Sequence, residues 1–205
     1  MTFHPNRQKG PVRTMKRRAV SAASMFLVVT FVLAACGGGD SDSAGGVPSG
    51  DAFDRAFIDA MVPHHEAALV MARAAKEAGL SQPDLVQVAN DILATQQAEI
   101  DQMKQWRGDW YGSSDIDPNG ADALGLSESE MGMQHGAEGF ENSTQIDTDF
   151  AQMMITHHEG AIVMARLAED EAKHDELKDL AKAIVDAQER EIDVMRPHAS
   201  GMNHG

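Results

Sequence analysis

The sequence has 205 residues, a formal net charge of −15 and an aromatic content of only 5%. Six of its 17 basic residues and none of its 32 acidic ones lie in the first 35 residues, so 11 basic residues remain from Cys36 onward, a net charge of −21. This acidity disfavours nucleic acid and anionic lipid as partners and attracts cations. The single cysteine excludes an intramolecular disulfide and a cysteine-based zinc site.

The N-terminal segment has the layout of an export signal. A basic stretch at residues 16–18 precedes a mostly apolar run at 19–32, and the sequence Leu-Ala-Ala-Cys then ends at Cys36. This ending resembles the lipobox of bacterial lipoproteins, which implies that Cys36 is lipidated and holds the protein on a membrane. A retained transmembrane helix is the alternative, although the apolar run lies at the short limit for spanning.

Composition divides the chain into three segments. Residues 1–35 are predicted to be the signal peptide, and residues 36–50, rich in Gly, Ser and Asp, a flexible tether. Residues 51–205 are long enough to form one domain with its own core. Abundant alanine, few aromatic residues and no strand-like alternation predict that this domain is all-α.

Four long helices are predicted in the domain from apolar spacing and end signals. The first runs from about residue 52 to 78, before Gly79, and the second from Pro83 to Gly108. The third begins at the acidic segment 147–149 and ends near residue 173, and the fourth runs from His174 to Pro197.

A motif that occurs twice relates the two halves of the domain. Residues 57–73 read FIDAMVPHHEAALVMAR, and residues 150–166 read FAQMMITHHEGAIVMAR. The helices that follow also match, with Leu, Ala, Ile, Gln, Glu and Met recurring in register between residues 85–103 and 177–195. Two helical hairpins that bury their apolar stripes against each other predict a four-helix bundle with pseudo-twofold symmetry.

The connection between the hairpins, residues 109–146, is too long for a structureless loop in a compact domain. We expect it to cross the bundle and to contain a short helix near residues 127–136.

The paired histidines of each motif copy flank the buried stripe in a helical projection. On the second helix of each hairpin, a Gln and a Glu interrupt the apolar face, so they are the expected partners of the buried imidazoles. One interpretation is structural, in which these hydrogen bonds only tie each hairpin together. The other is a metal site, with the Gln and Glu side chains supporting the ligands. The residues are His64, His65, His157 and His158, with Gln96, Glu99, Gln188 and Glu191.

Methionines accompany these histidines. Those in the helices are core residues first, since Met fills irregular gaps. Met131, Met133 and His135 lie in a polar segment, where no hydrophobic core explains the presence of two methionines. Met202 and His204 repeat this combination of residues at the C-terminus. Thioether and imidazole together favour soft ions, above all Cu(I). Incidental residues in an irregular segment are the alternative interpretation.

The pattern Met-x-x-His-His-Glu-x-Ala-x-x-Met-Ala, at residues 61–72 and 154–165, resembles the bacterial "domain of unknown function 305" family over about residues 51–198. The resemblance implies a ferritin-like four-helix bundle, export, and copper binding or copper resistance in some members. It implies that the metal-binding residues are Met61, His64, His65, Met71, Met154, His157, His158 and Met164.

Three functions are consistent with the sequence. The first is an exported lipoprotein that binds metal, with copper favoured, for extracytoplasmic sequestration or homeostasis. The second is a non-catalytic binding or scaffold module at the cell surface, with structural histidines. A ferritin-like oxidase is third, because a di-iron site needs Glu-x-x-His on two helices and the only such spacing joins Glu171 to His174. No catalytic constellation is recognisable, and homo-oligomerisation is left open.

Overall fold

The computed structural model describes residues 47–140 and 142–200. The predicted signal peptide, Cys36, most of the tether, Met202 and His204 lie outside the described residues. Five α-helices and one short 3₁₀-helix form the described part, and none of these helices combines the length and apolarity that a membrane crossing needs. The helices are α1 (Asp51–Ala78), α2 (Pro83–Tyr111), α3 (Gly120–Leu124), α4 (Ile146–Glu171) and α5 (Asp175–Ala199), with the 3₁₀-helix at Ala137–Phe140 between α3 and α4.

The predicted all-α four-helix bundle is confirmed in the described residues. Helix α1 packs on α2 and α4 packs on α5, so each half of the repeat forms a hairpin. Helices α1 and α4 also pack on each other, whereas α2 and α5 make few contacts with each other. Equivalent side chains fill the core, for instance Phe57 and Phe150, which are both 0% exposed. Burying each such side chain stabilises the fold by about 1.5–3 kcal/mol.

The helix ends follow local chemistry with two differences from prediction. Gly79 ends α1 in the left-handed region, at φ 107°, and Pro83 begins α2 at a position where no N–H is needed. Helix α2 continues through Gly108 to end at Gly112, where φ is 79°. Helix α5 contains Pro197 and extends to Ala199, because a proline in the last turn removes only one terminal hydrogen bond.

Two equivalent aspartates join each hairpin to the turn of the other. The carboxylate of Asp54, which is 0% exposed, accepts the backbone N–H groups of Lys173 and His174 at 2.8 and 3.0 Å. The carboxylate of Asp147 accepts the backbone N–H groups of residues 81–82 at 2.8 and 3.1 Å. These bonds satisfy N–H donors at the start of α5 and α2, so the two hairpins are fixed to each other reciprocally.

The crossover from α2 to α4, residues 112–145, packs over α1 and α4. Its α-helix begins at Gly120, earlier than predicted. A Cβ atom on Gly120 would lie 2.4 Å from the carbonyl carbon of Asp59, so glycine lets this helix pack closely on α1. The expected helix near residues 127–136 is absent, since these residues form successive turns. Gly132 has φ 66°, a left-handed value that an α-helix does not accept.

We expect Asp54→Ala to lower the free energy of unfolding by about 1–3 kcal/mol, because it removes a buried carboxylate that accepts two backbone N–H groups. Asp147→Ala should lower the free energy of unfolding by less, since Asp147 is only half-buried and water can replace its carboxylate. Urea denaturation followed by circular dichroism measures both changes. The exposed Asp186→Ala is the control, and equal stabilities for Asp54→Ala and this control would contradict the proposed role of Asp54.

Candidate metal centre

Four histidines meet at the centre of the bundle, where α1 packs on α4. His64 and His65 come from the middle of α1, and His157 and His158 from the equivalent turn of α4. All four are 0–1% exposed. The rings of His64 and His157 lie against each other, with centroids 3.8 Å apart and planes inclined by 35°. The two copies of the motif therefore form one cluster, which we call the histidine quartet.

His65 and His158, the outer histidines of the quartet, each donate a hydrogen bond to a carboxylate of their own hairpin. The distance from His65 Nε2 to Glu99 is 2.9 Å, and from His158 Nε2 to Glu191 it is 2.6 Å. Because a carboxylate accepts, Nε2 carries the proton, and Nδ1 of a neutral ring has a free lone pair. Nδ1 of both rings is buried without a hydrogen-bond partner among the described residues.

The inner histidines, His64 and His157, differ in their hydrogen bonds. His64 donates its Nε2–H to the main-chain oxygen of Met131 at 2.8 Å, and its Nδ1 is buried without a partner in the described part of the chain. Both ring nitrogens of His157 are buried and lack such a partner there. Three of the four imidazoles are thus held through Nε2, and all four keep an unpartnered Nδ1.

The crossover causes this asymmetry. Its backbone at Met131 and Gly132 lies directly on α4, so a Cβ atom on Gly160 would come within 1.9 Å of the Met131 oxygen. Gly160 stands where the first copy of the motif has Ala67. The glycine therefore lets the Met131 carbonyl approach the quartet, where it accepts the hydrogen bond from His64.

Burial keeps the imidazole rings of His64 and His157 uncharged. Desolvation lowers the pKa of His64 from 6.5 to about 3, assisted by the neighbouring His65 and opposed by the hydrogen bond to Met131. Burial also lowers the pKa of His157 well below its ordinary value, and the neighbouring His64 and His158 add to the effect. Both rings are neutral at pH 7, which is the form of imidazole that binds a metal ion.

The helix methionines of the motif are buried core side chains. Met61 precedes the histidines of α1 by about one turn, so it lies on the same helix face, and Met154 has the same place on α4. They can offer thioether sulfur to the layer that holds the imidazoles. The four predicted helix methionines, which are all 0–1% exposed, are Met61, Met71, Met154 and Met164.

A cavity of about 350 Å³ lies between α1 and the crossover. Met131 and Met133 line it from the crossover, and His64 lines it from α1. Two exposed carboxylates, Asp122 and Glu128, also contribute to its wall. The structure therefore brings the two crossover methionines to the same cavity as one member of the quartet.

Several other polar residues do not line this cavity. His135 is exposed and does not line this cavity. His198, at the end of α5, lies 2.7 Å from a carboxylate oxygen of Asp84. Gln96 and Gln188 are 3% exposed, and the side-chain oxygen of each has no hydrogen-bond partner among the described residues.

The donor set fits a soft or borderline ion better than a hard one. In residues 47–140 and 142–200, no three His, Cys, Asp or Glu side chains are placed to hold an ion by themselves. The spacing of di-iron type, from Glu171 to His174, falls at the end of α4, and His174 Nδ1 lies 2.5 Å from Asp54. Imidazole and thioether, the donor types of the motif residues, are together typical of Cu(I) sites.

Sequence reasoning missed the role of the Met131 carbonyl, because a main-chain oxygen leaves no trace in residue identity. One signal was present, since the two motif copies differ at Ala67 and Gly160. A glycine in the interior of a helix indicates close approach by another backbone.

Comparison with known proteins shows the family and the fold. The family model described as "Domain of unknown function (DUF305)" matches residues 54–199. The Cu(I)-bound form of CopM superposes with a TM-score of 0.61 at 26% identity, covering 73% of this chain and 97% of CopM. CopM was also solved with Cu(II) and with Ag. No curated protein sequence matches the chain.

Two further structures have the same fold. A DUF305 fragment from Deinococcus radiodurans has a TM-score of 0.57 at 28% identity, covering 76% of this chain and 99% of the fragment. A DUF305 protein from Streptomyces coelicolor, described as secreted, has a TM-score of 0.61 at 26% identity, covering 70% of this chain and 89% of its own.

The depressed pKa of His64 predicts acid sensitivity. The unfolded chain binds a proton at this residue near pH 6.5 and the folded chain only near pH 3, so the free energy of unfolding should fall as pH decreases through this window. Urea denaturation between pH 7 and pH 4 measures the slope. His64→Gln should flatten it, while the exposed His135→Gln should not, and identical slopes for the two variants would contradict the assignment.

Proposed function

From the premise that this chain belongs to the DUF305 family, we propose that it is an exported lipoprotein that binds copper, preferentially Cu(I). The protein then serves extracytoplasmic sequestration or homeostasis of the metal. The ligands are histidines of the quartet with methionine thioethers beside them, and no catalytic step is assigned to the chain.

The observation that carries this proposal is the way the imidazoles are held. Metal-binding histidines almost always donate their second N–H to a carboxylate or a main-chain carbonyl, which fixes the tautomer and the ring orientation. His65 and His158 donate to Glu99 and Glu191, and His64 donates to a main-chain carbonyl. Each of these rings keeps a buried Nδ1 that has no partner in the described part of the chain.

The identity of the ion follows from the donors and is supported by a relative. Neutral imidazole and thioether both suit Cu(I), and neither is the oxygen donor that Ca²⁺ or Mg²⁺ requires. CopM, which has the same fold, was solved with Cu(I), Cu(II) and Ag. Copper is therefore the ion that we propose for this chain.

Export and anchoring are proposed from the sequence of the N-terminus. The basic stretch, the apolar run and the lipobox-like ending at Cys36 support a lipid anchor on the outer face of the cell membrane. The related protein from Streptomyces coelicolor, described as secreted, is consistent with export.

The second candidate function is a cell-surface scaffold in which the histidines are structural. It is favoured by the finding that no three His, Cys, Asp or Glu side chains within the described ranges are placed to hold an ion. Hydrogen bonds from His65 to Glu99 and from His158 to Glu191 also tie each hairpin together without any metal.

Removing the inner imidazoles should abolish tight Cu(I) binding. We expect His64→Gln together with His157→Gln to weaken affinity by at least about tenfold, which corresponds to ~1.4 kcal/mol. Anaerobic competition with a chromophoric Cu(I) chelator measures the affinity, and circular dichroism shows whether the variant is folded. His135→Gln, at an exposed position, is the matched control. A folded double variant that binds as tightly as the unchanged chain would exclude the quartet as the site.

The hydrogen-bonded carboxylates provide a second test. Glu99→Ala and Glu191→Ala leave every proposed ligand in place but free the outer imidazoles, so Cu(I) affinity should fall by about 10- to 100-fold. The same chelator competition applies, with the exposed Glu169→Ala as control. If the histidines are structural, these variants lose stability, and added Cu(I) raises the melting temperature of neither the variants nor the unchanged chain.

A further inference from the structure

We infer that the cavity beneath the crossover is the entrance through which a soft monovalent cation reaches the histidine quartet. Met133 and Met131 provide the first thioether contacts. This inference rests on the proposed function, and it adds a route and a set of capture residues to the buried site.

The need for an entrance follows from burial. The quartet is 0–1% exposed, so an ion cannot reach the imidazoles from bulk water without passing through the protein surface. In the described part of the chain, two openings can be compared. One is the 350 Å³ cavity that His64 lines, and the other is a groove of about 420 Å³ between α2 and α5 that Glu191 lines.

The chemistry of the two openings differs. The cavity contains a member of the quartet and two methionines, so an ion inside it meets imidazole and possible thioether donors together. The groove contains no histidine or methionine, and Val88 and Val194 contribute to its wall. A soft cation gains ligands only in the cavity.

Carboxylates line both openings, with Asp84, Asp91 and Glu191 in the groove, so the two openings differ in their soft donors and not in charge. Asp122 and Glu128 are exposed and line the cavity, so they raise the local concentration of cations at its outer part. Asp59 also lines it, but its carboxylate is buried and lies 3.0 Å from the guanidinium of Arg107. The negative charge therefore lies at the surface, while the inner wall presents softer donors.

Met131 links the entrance to the site. This residue lines the cavity, and its main-chain oxygen holds His64 through Nε2. The close contacts of Gly132 and Gly160 between the crossover and α4 keep this segment in place. The wall of the entrance and the orientation of His64 are thus set by one backbone position.

The test compares the rate of Cu(I) uptake with its equilibrium. In anaerobic stopped flow, the full chain takes Cu(I) from a chromophoric chelator, and the same chelator gives the affinity. Ala121→Leu adds volume to the wall of the cavity, and Ala187→Leu, the matched control, adds it to the wall of the groove. Ala121→Leu should slow uptake several-fold at unchanged affinity, whereas Ala187→Leu should leave the rate unchanged.

A second variant tests the capture residues without blocking the cavity. Met133→Leu preserves side-chain volume but removes the thioether, so uptake should slow while the buried site retains most of its affinity. Unchanged uptake in both Ala121→Leu and Met133→Leu, with normal affinity, would overturn the entrance. Slower uptake in Ala187→Leu alone would assign the route to the groove. An unchanged chain that takes up no Cu(I) would overturn the copper proposal itself.

Discussion

The structure depends on a constraint that arises from burying four imidazoles in one layer of a helical bundle. Buried polar groups cost free energy unless they are paired, and a buried charge costs more. The outer rings meet this constraint through Glu99 and Glu191, and His64 meets it through a carbonyl of the crossover. Desolvation removes the charge from the inner pair. The unpartnered nitrogens that remain need a partner, and a metal ion is one.

The crossover turns a symmetric core into an asymmetric site. Duplication alone would give His64 and His157 equivalent surroundings, yet among the described residues only the His64 ring donates a hydrogen bond to a carbonyl of the crossover. The difference depends on Gly160, because an alanine there would place a Cβ atom on the Met131 oxygen. One missing methyl group thus gives the crossover contact with the quartet and forms a cavity beside one histidine rather than two.

The long helices could be predicted because the repeat and the apolar spacing report on local structure. The pairing of His65 with Glu99 followed from the same projection, because both residues lie on helices of known period. The path of the crossover could not be predicted. Its turns are set by contacts with distant backbone, as at Gly120 and Gly132, and such contacts have no periodicity. The sequence identified Met131 by its thioether, whereas the structure adds the role of its carbonyl.

Attraction of cations and discrimination between hard and soft ions depend on different parts of the molecule. The strongly acidic chain draws cations of every kind, including hard ions that bind carboxylates more readily than imidazole. At the quartet, however, the nearest carboxylates already accept hydrogen bonds from His65 and His158. A hard ion that arrived there would have to break these bonds to obtain oxygen ligands, whereas a soft ion could use Nδ1 and leave the bonds intact. The hydrogen bonds that orient the imidazoles therefore also occupy these two carboxylates, so in the proposed site orientation and selectivity would depend on the same contacts.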